Sequence, residues 1–258
     1  MKETVVGIIG GTHGMGRWFA RLLRNDDYKV HVCGRKTRLG IDDLAGLCHV
    51  VVVAVPIAAT AEVIKQVGPL MGKDSLLMDL TSIKKEPVEL MLASSRADVI
   101  GCHPLFGPSL KNVRGQNVIL CPARANKRWL SWLKKLLVQG GLIVTEKTPA
   151  EHDKMMAIVQ VLNHLNTISL GLTLAATGIP LAEIKKFSTP IFKTKVEIIK
   201  KIFTETPGLY ADIIMHNPAA GEISALYKKS LAEISALLKA GDGKRMKEVM
   251  IKKAGKLF

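Results

Sequence analysis

Three short segments hold residue types that can do chemistry. Gly101-Cys102-His103-Pro104-Leu105-Phe106-Gly107-Pro108 presents a histidine in a stretch stiffened by proline and glycine. A neutral imidazole near its ordinary pKa accepts the proton of a hydroxyl that is being oxidised. Asp79-Leu80-Thr81-Ser82-Ile83-Lys84 follows a strand-like run and offers a serine hydroxyl where ligands gather in an open α/β sheet, at the carboxyl ends of the strands. Val5-Val6-Gly7-Ile8-Ile9-Gly10-Gly11-Thr12-His13-Gly14-Met15-Gly16-Arg17 reads as strand, glycine-rich turn and helix. Such a turn lets a helix N-terminus approach a pyrophosphate. A cofactor cradle and a proton acceptor together predict a dehydrogenase whose substrate carries a hydroxyl.

The cofactor segment departs from the G-x-G-x-x-G fingerprint at one place. Gly11 is expected to make the tight turn and Gly16 to let helix and strand approach, while His13 stands at the middle position. Thr12, Gly14 and Met15 complete the expected phosphate loop, and Val55 and Pro56, after the third strand, are further candidate cofactor contacts. The second strand ends Cys33-Gly34-Arg35-Lys36, with no acid for a ribose 2′-hydroxyl. Arg35, with Lys36, can instead clamp a 2′-phosphate through paired charged hydrogen bonds, so NADP is expected, with NAD possible.

The elements that position these segments change at residue 149. Up to there, apolar β-branched runs alternate with amphipathic stretches: strands at Thr4–Ile9, Lys29–Cys33, His49–Val55, Ser75–Asp79, Val99–Cys102, Asn117–Cys121 and Leu142–Thr145. This alternation predicts an α/β, Rossmann-like doubly wound parallel sheet. From Glu151 onward the pattern is helical to the end. Two domains are therefore expected: 1–149 for the dinucleotide and 150–258 as an all-helical C-terminal domain for substrate and dimerisation. The stretch 154–176 is apolar nearly all round, which predicts burial, in its own chain or against a second subunit.

Composition bounds the partners. The net charge of +15, from 37 Lys+Arg against 22 Asp+Glu, favours anionic ligands such as a phosphorylated cofactor and a carboxylate substrate. With 5% aromatics and no nucleic-acid-binding signature, no nucleic-acid partner is expected. No apolar run reaches the roughly 18 residues of a membrane span, and no signal peptide is visible, so a cytoplasmic protein without membrane attachment is expected. Cys33, Cys48, Cys102 and Cys121 form no C-x-x-C pair and read as small buried residues. No metal is expected, since His152 and His164 lack a third ligand at metal spacing.

The chain resembles the prephenate dehydrogenase family, most closely the dehydrogenase half of the bifunctional chorismate mutase–prephenate dehydrogenases of enteric bacteria. The resemblance rests on Asp79–Lys84, Gly101–Pro108, Glu151-His152-Asp153, Ser188-Thr189-Pro190-Ile191-Phe192, Tyr210-Ala211-Asp212-Ile213-Ile214-Met215 and the Gly241-Asp242-Gly243 turn. It implies oxidation and decarboxylation of prephenate, a cyclohexadienol carboxylate, to 4-hydroxyphenylpyruvate in tyrosine biosynthesis, by a homodimer. It implies His103 as the catalytic histidine and Ser82 as the serine that bonds the same hydroxyl and orients the histidine. It further implies that His152, Gln160 and His164 contact substrate, and that Lys193 takes the place of the family's carboxylate-gripping arginine. Lysine keeps the charge but loses the bidentate fork. Arogenate or 4-amino-4-deoxyprephenate is therefore an alternative substrate, and a non-catalytic nucleotide-binding regulator is the reading from another class.

Overall fold

The computed structural model describes residues 3–257. Strands β1 (Val5–Ile9), β2 (Lys29–Cys33), β3 (Val50–Val53), β4 (Leu76–Asp79), β5 (Asp98–Pro104), β6 (Asn117–Arg124) and β7 (Ile143–Glu146) form one seven-stranded sheet in the order β2-β1-β3-β4-β5-β6-β7. β3 and β4 are buried along their whole length. Their unbroken apolar composition is what a strand covered on both faces requires. The order reverses at β1, which pairs with β2 on one side and β3 on the other. A ligand crevice opens at such a reversal.

One pairing departs from the expected parallel sheet. β6 runs antiparallel to β5, with His103 opposite Ile119. The reason is local, because no helix separates the two strands and a parallel return needs a crossover. Helix α1 (Gly14–Asn25) buries Trp18, Phe19 and Leu23 against one face of the sheet, as does α5 (Lys127–Gln139) with Trp129 and Trp132. Each fully buried side chain of this size contributes roughly 1.5–3 kcal/mol. On the other face lie α2 (Ile41–Leu47), α3 (Ile57–Val67) and α4 (Lys85–Ser94), through Leu44, Ile64, Val67, Val88 and Met91. In the short α2, the Asp43 carboxylate accepts the Gly40 amide at 2.8 Å and fixes the start of the helix. The four cysteines are free and buried.

This first unit runs to Met156 and also takes in Thr206–Asn217. It therefore includes α6 (Pro149–Met156) and α10 (Pro207–Met215). Ile213 of α10 packs with Ile57 and Ile83. The second unit, Ala157–Glu205 and the chain from Pro218 onward, is wholly helical. It holds α7 (Asn163–Ala176), α8 (Leu181–Lys186), α9 (Pro190–Lys200), α11 (Ala220–Ala240) and α12 (Gly243–Ala254), with π-helical turns at Ala157–Leu162 and Lys201–Glu205.

The stretch expected to be buried is only partly covered within its own chain, at Met156, Ala157 and Val161. Ile158, Val159 and Leu172 are 49%, 51% and 58% exposed. The helical run Pro149–Ala176 has the length and composition of a membrane span. Its first turns nevertheless hold the buried polar pair His152 and Asp153, hydrogen-bonded to loops of the sheet unit, as in a core helix.

Candidate active site

The glycine loop is built by close approach. Gly10 adopts φ +83°, and a Cβ there would lie 2.3 Å from the Ala54 carbonyl oxygen. A Cβ on Gly16 would lie 2.5 Å from the Gly10 carbonyl oxygen, so helix α1 starts hard against the turn. The turn conformation thus falls on Gly10, where the sequence suggested Gly11. Gly11 is instead held small by packing, with Val32 Cγ1 2.7 Å from a Cβ placed on it.

His13 at the middle position is explained by its backbone, φ −140° and ψ 172°, an extended conformation that any residue adopts. No side chain caps α1, so its first amides stay available to an anion. Gly14, at φ +54°, has open space around it, and Met15 is half-buried against the core. Val55 and Pro56 follow β3, where Val55 Cγ1 borders Gly10. This cradle fits the pyrophosphate of a dinucleotide.

The loop also meets the end of β2. A Cβ on Gly34 would lie 3.2 Å from Thr12 Oγ1, and Thr12 Oγ1 is 2.9 Å from His13 Nδ1. The turn after β2 is stapled by Thr37, whose hydroxyl accepts the Gly34 amide at 2.9 Å. Arg35 and Lys36 project from it, exposed and without an acidic partner among the described residues.

His103 is the penultimate residue of β5 and is 3% exposed. Its Nδ1 is 2.9 Å from His152 Nε2, and His152 Nδ1 is 2.7 Å from Asp153 Oδ1. Asp153 in turn accepts the Lys84 amide on Oδ1 at 2.8 Å and the Lys85 amide on Oδ2 at 2.9 Å. Those amides start α4, which its own residues do not cap. The Asn217 side-chain amide donates to the Asp153 carbonyl at 2.9 Å. His103 Nε2 has no partner among the described residues.

Burial, then the neighbouring His152 and Lys84, hold the His103 pKa well below the ordinary imidazole value. Burial also lowers that of His152, against the pull of Asp153. Both imidazoles are therefore neutral near pH 7.

Beneath this chain lies a fully buried ion pair. Lys84 Nζ meets the Asp79 carboxylate and also lies 3.2 Å from Thr81 Oγ1. Its arm crosses β5 at Gly101, where a Cβ would be 2.8 Å from Lys84 Cδ. Glycine in mid-strand is thus the space the lysine occupies. The pair fixes the β4–α4 loop that presents Ser82, which is half-buried and makes no hydrogen bond among the described residues.

The structure therefore brings His103 together with His152, and the glycine loop together with the base of the Arg35 turn. His152 was expected to touch substrate, yet both its ring nitrogens are already engaged. Gln160, His164 and Lys193 belong to the second unit. Gln160 lies in the first π-helical turn with its Oε1 sealed and unbonded. His164 lies in α7, its pKa lowered by burial. Lys193 is exposed in the first turn of α9, whose start is capped by Thr189. Sequence reasoning did not give Asp153, Lys84 or Gly10 a role. No group of three metal-ligating side chains occurs among the described residues.

Comparison with known proteins agrees on both halves. The nucleotide-binding domain of prephenate dehydrogenase matches residues 19–145, and the prephenate dehydrogenase dimerization domain matches residues 148–252. The chain is 38% identical over its full length to a probable arogenate/prephenate dehydrogenase of Methanocaldococcus jannaschii, of which it spans 62%. It is 33% identical to the T-protein of Enterobacter agglomerans, over 92% of this chain and 63% of that one. It thus spans under two thirds of either relative's length. Among solved structures, an A. aeolicus prephenate dehydrogenase in complex with hydroxyphenyl propionate and NAD+ superposes with a TM-score of 0.77 at 23% identity, covering 99% of each chain. A Synechocystis arogenate dehydrogenase gives 0.74 at 17% identity over 98% of each.

Proposed function

The chain belongs to the prephenate dehydrogenase family, and on that premise we propose that it oxidises and decarboxylates prephenate to 4-hydroxyphenylpyruvate, with NADP preferred over NAD. The observation that carries this reading is His103 Nε2, a neutral imidazole nitrogen with no partner among the described residues, on a strand end beside the Ser82 loop. A dinucleotide held by its pyrophosphate in the glycine cradle would supply a nicotinamide as hydride acceptor. His103 takes the ring hydroxyl's proton as the carbon bearing it is oxidised. Ser82 bonds the same hydroxyl and holds it toward the imidazole. The ring carboxylate then leaves as carbon dioxide, and its bonding electrons complete an aromatic ring. Lys193 is assigned to a substrate carboxylate, Gln160 and His164 to substrate contact, and Arg35 with Lys36 to a 2′-phosphate. A homodimer formed through the helical unit is part of the reading, supported by its exposed Phe187 and Ile191. The setting proposed is the cytoplasm.

A specific observation favours a second substrate reading. Lys193 lacks the fork that grips a carboxylate at two points, so arogenate, with an ammonium group in place of the keto oxygen, is the competitor. The test is a turnover matrix of prephenate, arogenate and 4-amino-4-deoxyprephenate against NADP and NAD. Prephenate with NADP should give the highest kcat/KM. Arogenate ahead of prephenate would transfer the assignment, and no turnover in any cell would leave a nucleotide-binding regulator.

Cofactor choice has its own test. Losing a charged hydrogen-bond pair to phosphate costs about 1.5–3 kcal/mol, so Arg35→Asp should raise the NADP Kd roughly 10–100-fold. Binding of NAD should change by a few-fold at most. An unchanged NADP Kd in calorimetry would remove Arg35 from the 2′-phosphate.

A further inference from the structure

A histidine has two ring nitrogens, and only the one without a proton can accept one. The bonding around His103 decides which it is. A carboxylate carries no proton, so His152 Nδ1 must donate to Asp153 Oδ1 across 2.7 Å. That leaves His152 Nε2 as a bare lone pair. The 2.9 Å contact then requires His103 to donate from Nδ1, and His103 Nε2 is left unprotonated. Exposures of 3% for His103 and 1% each for His152 and Asp153 keep bulk water from substituting for any link.

The geometry points to Asp153 and His152 as positioning residues. We propose that Asp153, acting through His152, sets His103 as an Nε2 base and supports the charge His103 gains. The inference rests on the reading of His103 as the proton acceptor. In the step concerned, the substrate O–H bond breaks and an N–H bond forms at Nε2. The oxygen's electron pair becomes part of the new carbonyl as hydride departs from the carbon. The resulting imidazolium is desolvated and lies near the Lys84 ammonium, both of which oppose it. Asp153 is the carboxylate joined to it, one imidazole away, while the Asp79 charge is already matched by Lys84. The Lys84 and Lys85 amides hold the Asp153 carboxylate in place, and the Asn217 side-chain amide holds its backbone carbonyl.

The tautomer can be read without turnover, from long-range 1H–15N correlations of the 15N-histidine-labelled full chain at neutral pH. His103 is assigned by the signals lost in His103→Gln. The expected wild-type pattern is a protonated Nδ1 and a bare Nε2. In Asp153→Ala no carboxylate is left to accept from His152 Nδ1, so the His152 and His103 tautomers are no longer fixed. A share of His103 should become protonated on Nε2, and kcat should fall about 10³–10⁴-fold with KM within a few-fold. A wild-type His103 protonated on Nε2 overturns the proposal whether or not the variant folds. So does an unchanged His103 pattern in a folded Asp153→Ala. Failure of the base reading would show separately, as undiminished kcat in a variant lacking the His103 imidazole.

Discussion

His103→Asn should turn over roughly 10²–10⁴-fold more slowly than wild type, the usual worth of a positioned general base. NADP affinity should stay within a few-fold, because the glycine cradle and the Arg35 turn lie on other strands. The wild-type pH profile should show the same group. A base works when bare, and burial, His152 and Lys84 hold the His103 pKa well below the ordinary value of 6.5. The acid limb of kcat/KM should therefore fall below pH 6.5, with a plateau through neutrality. The same depression ties folding to pH. The unfolded chain takes up the proton first, so stability declines as pH falls from 6.5 toward the lower folded value and is unaffected above it. Single-turnover kinetics with equilibrium cofactor binding checks both parts. Near-normal chemistry in His103→Asn, or an acid limb above pH 6.5, would take the base away from His103.

What the sequence disclosed was local, and what it hid was tertiary. The glycine loop, Ser82 and Arg35 sit within a few residues of a strand end, so spacing alone marks them. The link between His103 and His152 spans 49 residues and exists only because α6 docks beside the end of β5. Read along the chain, His152 looked like a residue offered to substrate, and Asp153 only its neighbour. Packing turns both inward, onto His103 and the start of α4. The buried Lys84–Asp79 pair was hidden in the same way, since a lysine in sequence reads as a solvated charge. A signal for it was present in Gly101, a mid-strand glycine that has no reason to be small until the lysine arm lies across it. Helix α2 escaped because its seven residues are too few to show a period. The exposed Ile158, Val159 and Leu172 show that apolar composition predicts a covered face without naming what covers it.

Gly10→Ala should be the most damaging single-methyl change in the nucleotide loop. Its φ of +83° is strained for any residue with a Cβ, and the added carbon would sit 2.3 Å from the Ala54 carbonyl oxygen and 2.8 Å from its carbon. Both neighbours are backbone, so neither can rotate away. The loop cannot retreat freely either, since the Gly10 amide donates to the Cys33 carbonyl at 2.7 Å and the Gly10 carbonyl abuts Gly16 at the start of α1. Strain and displacement together should cost on the order of 3 kcal/mol, which lowers Tm by roughly 6–12 °C for a chain of this size. NADP binding should weaken more than tenfold, because the moved segment is the one whose amides face the phosphates. Gly14→Ala is the control. It shares a positive φ, at +54°, but a Cβ there meets nothing within 4 Å, so its cost is the backbone conformation alone, about 1–2 kcal/mol. The gap between the two variants in thermal melts and in NADP calorimetry isolates the contact from the conformation. Equal losses would mean that β3 does not press on the turn, and that the cradle owes its shape to the loop itself.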